Sequence, residues 1–350
     1  MMISKKLFPL ITILLCITAG AQEQFVRRSV VEEFTGTWCG NCPRGIVGMH
    51  RLAEDFGDRF IGIAIHTGSD EPMVIPAYPD VKDDRIPGSG VPCCIIDRSR
   101  FKFDPYSGSG EKGVFHYGID ADFAAALAMP TEAKVDLVAE WNDAYDWDVR
   151  FTVTTTFNID RPTAPYRLIL VLTEDGLTGT ADNWRQVNYF SSDYDGTRDT
   201  ENYSDDDMAF WRNTPYLVPG IVYDHVAVNT NGIRHGIENS IAAPVVAWQP
   251  QTYTGTVSIL SSHAQRIIQD KSRLHAVAML IATETGNVVN AAKADILPFG
   301  SSGISETRRQ TVAAQTAYDL QGRPLTSYLS PLTSHKKGIY IVNGKKYIIK

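Results

Sequence analysis

An apolar run, a helical pattern and a second apolar run open the central part of the chain. Residues 30–34 (Val-Val-Glu-Glu-Phe) predict a buried strand, and residues 60–65 predict a second one. Between them, apolar residues recur at helical spacing, and Gly57 is predicted to end that helix. The apolar positions of the helix are Ile46, Val47, Met49, Leu52, Ala53 and Phe56. The pattern therefore predicts a β–α–β unit.

The pattern changes to strands after Pro130. A strand at Cys93–Ile96 and a helix over 118–127 precede that point, which marks a domain boundary. Short strands with turn signals and no long helices between them indicate an immunoglobulin-like β-sandwich over 130–298. The seven predicted strands are Lys134–Glu140, Arg150–Phe157, Tyr166–Thr173, Ile221–Val228, Thr252–Ile259, Leu274–Thr283 and Asn287–Ile296.

The two ends of the chain carry segments of a different kind. Residues 1–21 combine Lys5 and Lys6, an apolar stretch and a small-residue cleavage site, which predicts a secretory signal peptide. Residues 299–350 have 8 Lys/Arg against 2 Asp/Glu and alternate apolar and polar residues around glycine turns. This tail is predicted to be a small separate β-module.

Composition and charge narrow the class of protein. The 350 residues are 43% hydrophobic and 21% charged, which is ordinary for a globular protein of two to three domains. A net charge of −7 argues against nucleic acid as a partner. Once residues 1–21 are removed, four cysteines remain, too few for a disulfide scaffold of this length. We expect those four, at 39, 42, 93 and 94, to do chemistry or to form one local cluster.

The first cysteine pair lies between the first strand and the first turn of the predicted helix. Free N–H groups and the helix dipole stabilise an anion at that position, which lowers the pKa of a thiol and favours the reactive thiolate. Two intervening residues allow Cys42 to attack a mixed disulfide formed by Cys39. The spacing therefore predicts a redox-active pair that needs neither a cofactor nor a metal.

The segment Trp38-Cys39-Gly40-Asn41-Cys42 resembles the W-C-x-x-C signature of the thioredoxin superfamily. The resemblance implies an α/β thioredoxin-like domain over 22–129, in which Cys39 is the exposed attacking thiol and Cys42 the buried resolving thiol. It implies that Pro92 is the cis-proline opposite the cysteines. Glu33 stands where thioredoxins keep a buried carboxylate that takes the proton of Cys42. The alternative for Glu33 is a structural role, since Glu32 alternates with it and only one of them is expected to face inward.

Cys93 and Cys94 depart from the usual thioredoxin pattern after the proline. In a strand, their side chains point to opposite faces of the sheet. Three interpretations stay open: two buried apolar residues, an accessory thiol that relays oxidation, or zinc binding by all four cysteines. Adjacent cysteines suit tetrahedral zinc poorly, because zinc ligands are usually separated by 2–4 residues.

Two further resemblances indicate where the protein acts. Residues 33–45, 60–66, Pro92 and 97–98 are similar to outer-membrane-associated thioredoxin-like proteins of Bacteroidetes. The D-x-x-G-R turn at 319–323 and the strands at 337–342 and 344–350 resemble the C-terminal sorting domain of type IX secretion cargo. These resemblances imply export to the outer membrane, the cell surface or the medium, with the type IX machinery as a partner.

The predicted sandwich is interrupted by an acidic and aromatic insertion at residues 183–216. Its acids over 193–207 loosely resemble a calcium loop, but the closing Glu of an EF-hand is missing, so a solvated loop is favoured. The aromatic side chains are expected to pack this loop onto the sandwich or, if exposed, to bind a partner. They are Trp184, Tyr189, Phe190, Tyr194, Tyr203, Phe210, Trp211 and Tyr216.

The sequence supports two functional hypotheses. The first is an exported thiol–disulfide oxidoreductase that acts on protein or small-molecule thiols and disulfides through Cys39 and Cys42. The second is a surface binding protein or adhesin, with haem as one conceivable ligand, in which the cysteine pair is a structural disulfide. Because Pro43 follows Cys42, the C-x-x-C-H haem-attachment motif is absent from this sequence.

Overall fold

A computed structural model describes most of the chain between residues 25 and 301 and a short C-terminal hairpin. The predicted signal peptide, the acidic segment 195–205 and most of the predicted sorting domain lie outside the described residues. The described ranges are 25–76, 78–85, 88–102, 105–106, 118–142, 144–194, 206–301, 338–342 and 345–349.

The described part of the chain is mostly β, with few helices. Its helices are Pro43–Phe56 (α1), Pro79–Arg85 (α2), Ile119–Leu127 (α3), Ala209–Arg212 (α4) and Ser262–Ile267 (α5). Its strands are Ser29–Thr35 (β1), Phe60–His66 (β2), Cys93–Ile96 (β3), Arg100–Lys102 (β4), Ala133–Trp141 (β5), Asp148–Phe157 (β6), Tyr166–Glu174 (β7), Gln186–Val187 (β8), Leu217–Val218 (β9), Val226–Asn231 (β10), Gln251–Ser258 (β11), Leu274–Ala282 (β12), Val288–Leu297 (β13), Gly338–Val342 (β14) and Lys345–Ile349 (β15).

Eleven strands form one mixed sheet in the order β11-β6-β5-β13-β12-β7-β10-β2-β1-β3-β4. Residues of both predicted domains belong to it. The junction is β2, which pairs in parallel with β10 through Ala64 and Val226. The amide of Ala64 also donates a hydrogen bond to the carbonyl of His225 over 2.7 Å. The two parts of the chain therefore share hydrogen bonds as well as a core.

The predicted β–α–β unit is present as β1, α1 and β2. The two strands pair in parallel from Ser29↔Phe60 to Thr35↔His66, and β3 adds to β1 in antiparallel direction. All seven residues of β1 are buried, because the sheet is covered on both faces there. The expectation that only one of Glu32 and Glu33 faces inward was therefore wrong.

Glu32 and Glu33 are buried on opposite faces of β1 by different means. Glu32 forms a bidentate ion pair with the buried Arg98, at 2.8 Å from Nε and 2.6 Å from Nη2. Such a pair offsets part of the cost of removing two charges from water. Glu33 faces α1, and no cation of the described ranges pairs with it.

The strands predicted after residue 130 are present almost where the pattern puts them. Residues of β6 alternate between buried and half-buried, as expected of a layer that covers a core on one face. β13 pairs with β12 in antiparallel direction and reaches β5 through Ile296 and Leu297 in parallel direction. The strand predicted to begin at Ile221 begins at Val226, after His225 with a φ of 60°.

The C-terminal strands β14 and β15 pair with each other in antiparallel direction, from Gly338↔Ile349 to Val342↔Lys345. Two of the strand segments predicted for the tail therefore form a hairpin. None of the helices within the described ranges is both long and apolar enough to span a bilayer.

Candidate functional site

The segment Trp38–Cys42 forms the connection between β1 and α1. Tight backbone turns shape it: the amide of Cys39 donates to the carbonyl of Gly36, and the amide of Cys42 donates to that of Cys39, both over 3.1 Å. Cys42 is the N-cap of α1, and Pro43 occupies the first helical position, where its missing N–H costs nothing. The two cysteines are joined in a disulfide, with their Cα atoms 5.3 Å apart.

Both cysteines of the pair are buried. Cys39 is 5% exposed and Cys42 is 0% exposed. The expected exposed thiol at Cys39 is therefore not what the disulfide form presents, because other parts of the chain cover the loop. Trp38 is 51% exposed beside them, and its ring nitrogen donates a hydrogen bond to the carbonyl of Thr67.

Glu33 lies under the first turn of α1, as the resemblance to thioredoxins implies. A Cβ built on Gly45 would lie 1.7 Å from its Oε1, so the carboxyl group is pressed against the helix backbone. Gly45 itself donates its amide hydrogen to the carbonyl of Cys42 over 2.9 Å. Burial raises the pKa of Glu33 to about 8, and its Oε1 has no hydrogen-bond partner among the described residues. A protonatable carboxyl group therefore lies within one helical turn of Cys42.

The peptide bond between Val91 and Pro92 is cis, as predicted. It lies immediately before β3, at the strand end that faces the cysteine loop. The carbonyl oxygen of Val91 is 3.5 Å from the sulfur of Cys39. A reduced Cys39 would have this oxygen within hydrogen-bond reach of its thiol.

Cys93 and Cys94 lie outside the disulfide, both fully buried, on opposite faces of β3. Cys93 pairs with Phe34 and belongs to the larger core, whereas Cys94 pairs with Glu33 and packs in the smaller core under α1 and α3. Burial raises the pKa of Cys93 to about 11. No group of three or more metal-ligating side chains that could hold a metal ion occurs within the described ranges.

A buried polar network beside the loop was not predicted from the sequence. The carboxylate of Glu71 accepts hydrogen bonds from the backbone and hydroxyl groups of Thr37, over 2.7 and 2.9 Å. Its other oxygen lies 3.0 Å from Nδ1 of His66, the residue that ends β2. His66 in turn packs edge-on against Tyr223, with ring centroids 5.4 Å apart. Thr37 precedes Trp38 and Cys39, so this network anchors the start of the loop.

The insertion predicted at residues 183–216 packs onto the cysteine loop. The amide of Val187 donates to the carbonyl of Thr37 over 2.7 Å, and the amide of Tyr189 donates to that of Gly40 over 2.9 Å. Phe190 and Trp211 are buried, in agreement with the packing role expected for the aromatic side chains. The sequence shows an aromatic loop but carries no signal for the surface that it covers.

A cavity of about 490 Å³ lies between the loop and this insertion. Trp38, which is half exposed, lines it, and both acidic and basic side chains border it. The lining residues are Thr37, Trp38, Gly68, Ser69, Asp70, Asp182, Asn183, Arg185, Val187 and Leu217. The arrangement therefore combines a disulfide, a protonatable carboxyl group and an adjacent recess that can accept part of a substrate.

Comparisons with known proteins give a likeness of fold. No profile of a known protein family and no curated protein sequence matches the chain. The solved structure of HBP35 of Porphyromonas gingivalis has a TM-score of 0.53 and 14% identity, covering 94% of this chain and 98% of that one. A protein from Agrobacterium tumefaciens has a TM-score of 0.40 with 13% identity, covering 78% and 95%. A domain of the outer membrane lipoprotein Omp28 from P. gingivalis has a TM-score of 0.23 and 16% identity, and the match covers 48% of this chain and 90% of that one. The overall fold is thus similar to that of HBP35.

Proposed function

We propose that the protein is a thiol–disulfide oxidoreductase built on a thioredoxin-like unit, with Cys39 and Cys42 as its redox couple. The observation that carries the proposal is the Cys39–Cys42 disulfide at the start of α1, with the carboxyl group of Glu33 under the same helical turn. A C-x-x-C pair in a β–α–β unit is typical of thioredoxin-like redox proteins. Sites in such units lie at the carboxyl ends of the parallel strands, where this loop stands.

The reaction is two successive thiol–disulfide exchanges. In the reducing direction, the thiolate of Cys39 attacks one sulfur of a substrate disulfide and releases the other sulfur as a thiolate, which takes up a proton. Cys42 then attacks Cys39 in the mixed disulfide, which frees the second substrate thiol and closes the Cys39–Cys42 bond. Two electrons pass to the substrate, and the reverse sequence oxidises a substrate dithiol.

Neighbouring groups have distinct roles in these steps. Glu33, as a carboxylate, accepts the proton of Cys42 when Cys42 attacks, and its raised pKa lets it exchange that proton near neutral pH. The carbonyl of Val91 lies close enough to accept a hydrogen bond from the Cys39 thiol. Cys93 has a raised pKa and sits in the core, which favours a packing role over a relay role.

The proposal includes export. The predicted signal peptide at 1–21 and the predicted sorting domain at 299–350 support passage to the outer membrane or cell surface through the type IX machinery. Oxidising surroundings outside the inner membrane suit a protein that holds a disulfide.

One observation favours the second function, a surface binding protein. Because Cys39 is only 5% exposed, the pair has the burial of a structural disulfide. The 490 Å³ cavity beside Trp38 would then be the binding site rather than a recess for a redox substrate.

An exchange assay separates the two functions. The whole chain is tested for reduction of insulin disulfides by dithiothreitol, beside the variants Cys39→Ser, Cys42→Ser and the double variant. The redox proposal expects turnover by the wild type, and its loss in Cys39→Ser. Absence of turnover by the folded wild type, with the disulfide intact in excess glutathione, would favour the binding protein.

A further inference from the structure

A segment nearly 150 residues downstream runs along the cysteine loop. Besides the two backbone hydrogen bonds from Val187 and Tyr189, the carbonyl of Asn183 lies 2.9 Å from the hydroxyl of Thr37. The ring of Tyr189 covers Gly40, since a Cβ there would lie 2.2 Å from Cδ1 of that ring. We call residues 183–189 the covering segment. It closes one side of the redox loop and explains why Cys39 is buried.

Gln186 of the covering segment directs its side-chain amide to the backbone of the cysteine loop. It is 0% exposed, and its amide nitrogen lies 2.9 Å from the carbonyl oxygen of Cys39 and 3.3 Å from that of Gly36. The same nitrogen lies 3.0 Å from its own neighbour's carbonyl, at Val187. The side-chain N–H group of Gln186 therefore donates a hydrogen bond to the carbonyl of Cys39, the cysteine that is proposed to attack the substrate disulfide.

Tyr223 contacts the oxygen end of the Gln186 side-chain amide. The hydroxyl of Tyr223 lies 3.5 Å from Oε1 of Gln186 and donates to the carbonyl of Trp184 over 3.2 Å. The hydroxyl shares its single proton between these two acceptors, and the amide nitrogen faces three carbonyl oxygens that can only accept, so the NH₂ end of the amide points toward Cys39. Tyr223 in turn packs against His66, which joins Gln186 to the Glu71–Thr37 network.

Tyr189 is fixed by an aromatic stack. Its ring stacks on Tyr194 at 4.5 Å between centroids, and Tyr194 stacks on Tyr216 at 5.7 Å. Three parallel rings from different parts of the insertion therefore press the covering segment onto Gly40. The stack therefore stabilises the contact between Tyr189 and Gly40.

We propose that Gln186 is a positioning residue of the redox site, which fixes the Cys39 peptide group and favours the thiolate of Cys39 once the disulfide is reduced. A donor N–H at the Cys39 carbonyl adds a partial positive charge beside the sulfur-bearing residue and so favours its thiolate. The inference rests on the proposed redox function, and it assigns control of that couple to the insertion in the second part of the chain.

The test is the pH profile of alkylation of Cys39 in the reduced whole chain, read by peptide mass spectrometry. Gln186→Met removes both N–H donors at similar size. We expect the midpoint of the profile to rise by roughly half to one pH unit in Gln186→Met, the size expected for one hydrogen bond.

Two additional variants keep the test decisive. Gln251, the first residue of β11, donates to the carbonyl of Ala242 over 3.0 Å away from the cysteine loop, so Gln251→Met is the control for loss of a glutamine hydrogen bond and should leave the midpoint unchanged. Tyr223→Phe keeps the ring and removes the hydroxyl that orients Gln186, so we expect a smaller rise. If Gln186→Met does not fold, Tyr223→Phe decides.

Unchanged midpoints in folded Gln186→Met and Tyr223→Phe, or an equal rise in Gln251→Met, would overturn the proposal. Failure of the redox function itself is recognised separately, as absence of insulin turnover by the wild type. The alkylation profile measures the ionisation of the Cys39 thiol whether or not the wild type turns over insulin.

Discussion

The carboxyl group of Glu33 is packed directly against Gly45, so closely that a Cβ on Gly45 would lie 1.7 Å from Oε1. Only a glycine leaves room for a carboxyl group beneath the first turn of α1. The two residues together put a buried carboxyl group next to the disulfide, and burial raises its pKa to about 8. This arrangement has measurable consequences for stability and, under the proposed function, for thiol exchange.

We predict that Glu33→Gln makes the protein more stable at alkaline pH. Between pH 4.5 and about 8, Glu33 is protonated in the folded chain and ionised in the unfolded chain. The folded state binds more protons there, so the free energy of unfolding falls as pH rises and levels off above about 8. The loss is at most about 5 kcal/mol, at about 1.4 kcal/mol per unit of pKa difference. Urea unfolding of the wild type between pH 4 and 9 should show this fall in the free energy of unfolding, and the same measurement on Glu33→Gln should not.

The neighbouring residue provides the control. Glu32→Gln breaks the buried pair with Arg98 and leaves a buried cation without its carboxylate. We expect it to destabilise the fold by about 3–5 kcal/mol at every pH in this range. If Glu33→Gln instead behaved like Glu32→Gln, Glu33 would be ionised and paired in the folded protein, and its role as a proton acceptor would be wrong.

Gly45→Ala is predicted to be destabilising by about 1–3 kcal/mol, because the added methyl group overlaps the Glu33 carboxyl group. The matched control is Gly90→Ala, since a Cβ on Gly90 meets no atom within 4 Å. In a Glu33→Ala background, the cost of Gly45→Ala should largely disappear. Thermal unfolding of the wild type, Gly45→Ala, Glu33→Ala and the double variant measures the coupling between the two sites. If the stability losses of the two single variants simply added in the double variant, the contact between Glu33 and Gly45 would be contradicted.

The sequence predicts the β–α–β unit and the strands after residue 130 well, because their apolar patterns are long and regular. It also predicts the disulfide pair, the buried Glu33 and the cis bond at Pro92, all through local spacing and the thioredoxin signature. It fails at Glu32 because a strand with both faces covered does not follow the rule of one buried face. Arg98, which neutralises Glu32, stands 66 residues away, and its pairing has no local signal.

The contact of the covering segment with the cysteine loop could not be predicted either, because it also joins residues that are far apart in the sequence. Gln186 lies 147 residues after Cys39, and a single glutamine in a polar loop resembles a surface residue. The aromatic content of residues 183–216 predicts packing, but pattern alone does not say against what. The expectation of an exposed Cys39 failed because it considered the redox unit without this segment.

Gly40→Ala should dislodge the covering segment from the loop. The new methyl group would occupy the space of the Tyr189 ring, so we expect the reduced Cys39 to be alkylated several-fold faster. Tyr189→Ala should also speed alkylation, and Gly40→Ala should add little in that background. Alkylation rates of the two single variants and the double variant test this coupling. Independent, multiplying effects would contradict the contact between Tyr189 and Gly40.

Cys93 is predicted to be inert while Cys39 reacts. With a pKa of about 11, the fraction of Cys93 present as thiolate at pH 8 is on the order of one in a thousand, and the side chain is buried. Cys93→Ala should therefore retain insulin turnover. Peptide mass spectrometry after brief alkylation of the reduced folded chain should find the label at Cys39. Rapid labelling of Cys93, or loss of turnover in Cys93→Ala, would favour the relay role instead.

The reduction potential of the Cys39–Cys42 couple tests the redox proposal most directly. It is measured by equilibrating the whole chain with glutathione buffers and quantifying the reduced pair by mass spectrometry. We predict a value within the range of roughly −270 to −120 mV that working oxidoreductases span. A potential below about −300 mV, the range of structural disulfides, would contradict a catalytic role for the pair.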